Sequence, residues 1–176
     1  YIIVRAPIKY LWAGIGDTMA KHIESTFSAR NDELNFTSEL GIKIGENCYY
    51  PILRDAKKAL EDVKEHKLSH EVERTIQNII ITTGCVSLIV DPEYNSALSH
   101  ALFYGLTVRQ HIEKGHLHGE VVSYGTLVQL MMDNQMELLK KTYHLHEEIG
   151  LPICLADLEL RRNEDLSDLL EKTVIN

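Results

Sequence analysis

Three kinds of residue pattern are missing from this chain, and each absence removes a class of function. No apolar run is long enough for a bilayer span. The longest stretches from Ile79 to Val90 and includes Thr82 and Thr83, whereas a span needs roughly 20 residues. Lysine and arginine are outnumbered 18 to 26 by acids, for a net charge of −8. They form no cluster, so the basic face that nucleic-acid binders use is lacking. Cysteine is scarce: Cys48, Cys85 and Cys154 are odd in number and far apart. No C-x-x-C pair occurs, which sets aside a zinc knuckle or a redox motif and fits reduced thiols in a cytoplasmic setting. No signal peptide is visible. The chain opens at Tyr1 within the apolar segment YIIVRAP, so it is expected to be part of a longer protein.

What is present is helical pattern. The 176 residues are 44% hydrophobic, enough for one buried core, and residues 1–176 are expected to form a single domain. Leu11, Ile15, Met19, Ile23 and Phe27 fall four apart, a single stripe on a helix from about Pro7 to Arg30. Gly14 and Gly16 interrupt it and mark close approach of another element or a break. The spacing predicts a loop over 31–43 and a helix over 45–66. A further helix is opened by Ser69 as N-cap, and its apolar continuation to Val90 reads as a buried central helix. A helix over 96–110 follows, then one long helix over 119–149 stopped by Gly150-Leu151-Pro152, and another from Ala156 onward. No strand alternation stands out. The expected fold class is all-α, with about six main helices.

Nine histidines are the most informative content. His22, His66, His70, His144 and His146 sit beside Lys, Glu or Tyr and read as solvated or locally bonded. His146-Glu147 does not continue into H-E-x-x-H, because Gly150 stands where the second histidine belongs. His100 differs, being flanked by Ala97, Ser99, Ala101 and Gly105, small residues that admit a neighbouring helix or ligand. His118 stands at the start of a helix, an end suited to an anion or a substrate oxygen. With Asp17 these make a candidate metal triad. One carboxylate and two neutral imidazoles leave a divalent ion an open position, where an alcohol gives up its proton more readily and can pass a hydride to an acceptor. The residues alone leave the alternative open that His100 is a hydrogen-bonded core histidine and His118 a loop residue. G-I-G-D-T-M is no dinucleotide fingerprint, since Met19 replaces the third glycine and the segment is helical.

The segment HALFYGLTVRQHIEKGHLHGEVVSYGTLVQL resembles the signature of the glycerol dehydrogenase group within the iron-containing alcohol dehydrogenase superfamily. APIKYLWAGIGDTMAKHIES resembles that group's GxGD segment, and GLPICLADLEL its later GLPxxLxxL stretch. The resemblance implies the helical C-terminal domain of a dehydroquinate synthase-like fold, with an N-terminal α/β domain absent from this chain. It implies metal ligands at Asp17, His100 and His118, zinc or alternatively iron as the metal, and NAD held by the N-terminal domain. The implied reaction is oxidation of glycerol to dihydroxyacetone in a homo-oligomer, and the chain by itself is expected to be inactive. Other readings are an enzyme acting on another polyol, a hydroxyketone or glycerol 1-phosphate, or a non-catalytic helical interaction module. Two positions bear on subfamily. Lys21 stands where iron-type members carry a fourth ligand, and Phe103 where many members have a further histidine. Dehydroquinate synthases would carry Glu in place of Asp17.

Overall fold

The computed structural model describes residues 2–175, and among them every regular element is helical. Ten α-helices follow one another, joined by turns except for a longer connection over 150–166 that holds only a 3-10 turn, Leu155–Leu158: α1 (Ile8–Ala29), α2 (Phe36–Gly45), α3 (Tyr50–Lys64), α4 (His70–Gln77), α5 (Thr83–Ile89), α6 (Leu98–Leu106), α7 (Gln110–Gly115), α8 (His118–Met132), α9 (Met136–Ile149) and α10 (Ser167–Ile175). A single π-helical turn, Asn78–Thr82, joins α4 to α5. Among the described residues no helix is long and apolar enough to cross a membrane.

The largest apolar cluster forms around α1. Its stripe Leu11, Ile15, Met19 and Ile23 is buried against Ile52, Ala56 and Leu60 of α3, Leu127 and Leu130 of α8, and Leu139 and Leu145 of α9. A second cluster joins Leu102 and Leu106 of α6, Ile112 of α7, Val121 of α8 and Leu169 of α10. A third packs Val86 and Val90 against Ala29 and Cys48. Helix α8 therefore has apolar residues in both larger clusters, and the seam between them runs where α1, α6 and α8 meet. Asp55 of α3 is buried and accepts a two-pronged hydrogen bond from Arg74 of α4, at 2.9 and 2.8 Å. That bidentate geometry satisfies a carboxylate removed from water.

Several expectations hold locally. Gly14 and Gly16 do not break α1; they admit neighbours. A Cβ on Gly14 would meet Ile79 at 3.3 Å, and one on Gly16 the carbonyl of Gly119 and the side chain of Ser123, both at 2.7 Å. Ser69 caps α4, its Oγ accepting from Val72 N at 3.3 Å. Gly150 ends α9 in the left-handed region at φ 75°, a conformation glycine adopts without steric cost.

Others are corrected. Residues 31–43 are not a loop throughout, since α2 begins at Phe36, where Asn35 Oδ1 caps the Ser38 N–H at 2.8 Å. Gly41 in this helix is required by packing, because a Cβ there would lie 2.4 Å from Val90. The long helix over 119–149 is two helices, parted at Asp133-Asn134-Gln135, with Asn134 at φ 57°. The apolar run to Val90 is not a central helix: Ile79 and Val86 face inward while Ile80, Ile81 and Leu88 are 60%, 59% and 85% exposed. Lying on the outside of the bundle, it buries one stripe only. His22 and His146, read as solvated or locally bonded, are both buried, each with a local partner: His22 Nδ1 lies 3.5 Å from Thr26 Oγ1 and His146 Nδ1 3.2 Å from the Pro152 carbonyl.

Candidate metal centre

Asp17, His100 and His118 come from three different helices and meet at one point of the seam. Asp17 lies in the middle of α1, His100 in the first turn of α6, and His118 is the first residue of α8. His100 Nε2 lies 3.6 Å and His118 Nε2 3.7 Å from the same oxygen, Asp17 Oδ1. One ligand atom from each residue can be chosen so that all three lie within 4.8 Å of one another. These separations are too long for hydrogen bonds. They suit ligands of a shared ion: two donors each about 2.0–2.1 Å from a tetrahedral centre are about 3.4 Å apart. The imidazole rings are 5.3 Å apart between centroids and inclined at 47°, so neither stacks on the other.

Close helix contact fixes this convergence. A Cβ on Gly119 would lie 2.1 Å from the carbonyl oxygen of Ala13 and 3.0 Å from Asp17 Cβ. Glycine there lets the start of α8 rest on α1, which sets His118 beside Asp17. Helix α6 is held by its neighbours in turn. Its N-terminal N–H groups are accepted by side chains from other helices: Ala97 and His100 by Glu24 Oε1 of α1, at 2.8 and 2.9 Å, and Ser99 by Gln129 Oε1 of α8, at 3.0 Å. At the start of α8, Glu120 reaches back to accept from Leu117 N at 3.0 Å, and its other oxygen meets His116 Nδ1 at 2.9 Å.

The two imidazoles differ electrostatically. Burial pushes His100 down, but its hydrogen bond to Glu24 and the charges of Glu24 and Asp17 outweigh that and hold its pKa above the ordinary value. Burial lowers His118, with a further push from His100, against the pull of Asp17. The lowering at His118 favours the neutral ring, the form in which imidazole ligates. Asp17 and His118 remain about half exposed while His100 is largely covered, so the cluster opens to the surface.

No family model matches the chain. A protein of Escherichia coli named hydroxycarboxylate dehydrogenase A is 36% identical over 163 residues, which cover 92% of this chain and 45% of that one. A glycerol dehydrogenase of Thermotoga maritima is 30% identical over 178 residues, covering 97% of this chain and 48% of its own length. The crystal structure of a probable glycerol dehydrogenase from Sinorhizobium meliloti superposes with a TM-score of 0.80 at 28% identity, over 98% of this chain and 48% of that one. The chain belongs to the glycerol dehydrogenase group. It corresponds to that group's helical C-terminal domain and spans a little under half the length of the curated relatives it matches.

For a member of the glycerol dehydrogenase group, two positions stand out. Lys21, one turn beyond Asp17, is tied up elsewhere: its Nζ donates to the Asn95 carbonyl at 2.9 Å. Phe103, one turn beyond His100, packs against His118 in a T-shaped contact, with centroids 4.3 Å apart at 70°. An apolar ring thus lines the His118 side of the cluster. The residue missed in the sequence is Glu24. It is fully buried, and its second oxygen lies 2.6 Å from His100 Nδ1. The signal was available, since Glu24 follows Asp17 by two helical turns and so shares its face of α1. Sequence reading passed over it because Glu24 adjoins a polar stretch that looks solvated.

Proposed function

We propose that Asp17, His100 and His118 hold a divalent ion in an NAD-dependent oxidation of a small polyol, with glycerol going to dihydroxyacetone. The observation that carries this reading is the approach of both Nε2 atoms to one carboxylate oxygen, at 3.6 and 3.7 Å. Two nitrogen donors and one oxygen, half open to solvent, are a donor set that suits zinc first and iron second. When bound there, the ion polarises a substrate hydroxyl and favours loss of its proton. The protein's part is geometric. Helices α1, α6 and α8 fix the three donors, and Phe103 presents an apolar wall beside His118 that favours the carbon skeleton of a substrate over water.

The chain carries no dinucleotide fingerprint, so the hydride acceptor is assigned to an N-terminal nucleotide-binding domain of the kind the group's resemblance implies. The half exposure of Asp17 and His118 supports that arrangement. Hydride transfer needs water kept out, and a second surface over the opening would do so. Without such a partner the chain should not oxidise glycerol.

Elemental analysis tests the proposal. About one zinc or iron per chain is expected after purification, lost in both His100→Ala and His118→Ala. Undiminished metal in either variant would overturn the assignment. A second substrate reading has its own support: the 36% identical relative is named for a hydroxycarboxylate, and Phe103 alters the lining beside His118. In that reading the substrate is a small hydroxy acid. Turnover by the full-length protein across glycerol, other vicinal diols and 2-hydroxy acids separates the two.

A further inference from the structure

We infer that Glu24 is a positioning residue: it fixes His100 in the tautomer that keeps Nε2 free toward Asp17, using the same carboxylate that caps helix α6. The inference rests on the reading of Asp17, His100 and His118 as a metal centre, which it deepens. A carboxylate as buried as Glu24 is costly to hold unless donors surround it. Its donors are two backbone N–H groups and an imidazole, rather than a lysine or arginine. Oε1 accepts from Ala97 N and His100 N at 2.8 and 2.9 Å, and Oε2 faces His100 Nδ1 at 2.6 Å.

An ionised carboxylate can only accept. In the neutral ring of His100 the proton must then sit on Nδ1, and the lone pair falls on Nε2, the atom 3.6 Å from Asp17 Oδ1. Carboxylates orient ligating histidines in this way in many metal sites. What this structure adds is the coupling. The capping bonds clamp α6 to α1 through one oxygen, so the other oxygen has a fixed place and the ring a fixed orientation. The cap and the tautomer are set by one side chain.

That coupling makes Glu24→Gln diagnostic. The amide has one acceptor oxygen and one donor nitrogen. The N–H groups of Ala97 and His100 can only donate, so they claim the oxygen. The amide NH2 is then aimed at Nδ1, which must accept, and the ring proton moves to Nε2. The variant keeps the size of the side chain and the cap but inverts the tautomer of His100.

The test begins without metal. Ring nitrogen NMR is recorded above the pH range in which His100 titrates, and its signals are identified by their loss in His100→Ala. The wild-type chain is expected to carry the proton on Nδ1 and Glu24→Gln on Nε2, with helical circular dichroism unchanged. Cobalt(II) affinity, read from its absorption bands, should fall about 10- to 100-fold in Glu24→Gln. A wild-type proton on Nε2 overturns the inference, as does a variant that keeps the Nδ1 proton and wild-type cobalt affinity. Should Glu24→Gln fail to fold, the wild-type tautomer decides by itself. A wild-type chain that takes up no cobalt sinks the metal centre instead, and the ring-proton measurement still judges Glu24.

Discussion

His100 and His146 are both covered imidazoles, yet their surroundings drive them in opposite directions. His100 meets a carboxylate and is raised. His146 is fully buried, donates from Nδ1 to the Pro152 carbonyl at 3.2 Å, and has no partner for Nε2 among the described residues. Burial therefore pushes it down to about 4, the bond to Pro152 resisting only in part. Since the folded value lies below the unfolded one of about 6.5, the unfolded chain binds more protons between them. Stability from this residue is full above about pH 6.5 and declines as pH falls toward 4. Lowering pH from about 7 to 5 should cost the wild type roughly 2 kcal/mol more than His146→Leu. His22, also lowered by burial, adds in the same direction in both proteins, and His100, being raised, acts oppositely in both. Urea unfolding of the two proteins at each pH isolates the His146 share, and parallel losses would show that His146 does not carry it.

At the scale of elements, the site depends on how closely α8 approaches α1. The tightest constraint is Gly119, whose replacement by alanine would put a methyl 2.1 Å from a backbone carbonyl. A carbonyl in the middle of α1 cannot swing aside as a long side chain can, so the helices must separate. Gly119→Ala should lose about 1–3 kcal/mol of stability, the usual cost of overpacking. It should also weaken metal uptake, because His118 moves with α8. Gly84→Ala is the control: nothing lies within 4 Å of a Cβ there, and a helical alanine in place of glycine should be neutral or stabilising by up to about 1 kcal/mol. Thermal unfolding with zinc titration compares them, and equal effects at the two sites would refute the packing argument. The same glycines mark where sequence reading succeeded and failed. Gly14 and Gly16 could be read as contact points because a clean apolar stripe surrounds them. Gly41 looked like a loop residue because α2 is short and its stripe weak, although Asn35 is a good cap in the right place. The break between α8 and α9 was written in the polar trio Asp133-Asn134-Gln135, but a Leu- and Met-rich run on both sides masked it. Burial was least legible. Composition shows that Ile79 to Val90 is apolar, while only the packing of α1 and α2 shows which residues face inward.

For the molecule as a whole, the candidate centre sits at the one seam where its two larger cores meet. Asp17 belongs to α1, whose Leu11, Ile15, Met19 and Ile23 lie in the first cluster, and His100 to α6, whose Leu102 and Leu106 lie in the second. His118 begins α8, which contributes to both. The type and order of these helices were readable from periodicity, and the triad from isolated residue types strengthened by resemblance. That the three candidate ligands bridge two cores follows only from the tertiary arrangement. It has a thermodynamic consequence. An ion held by all three residues exists only when both cores are folded and docked, so it stabilises the whole rather than one half. Free zinc at 100 times its dissociation constant should add about 2.7 kcal/mol to unfolding. The gain should come as a single cooperative transition at a higher midpoint, not as one half of the bundle outlasting the other. In His100→Ala the tether to the second core is cut and the zinc increment should vanish, on top of a lowered metal-free midpoint, because the buried Glu24 Oε2 loses its imidazole donor. A calorimetric scan in which zinc raises both proteins equally would place the ion somewhere other than this seam.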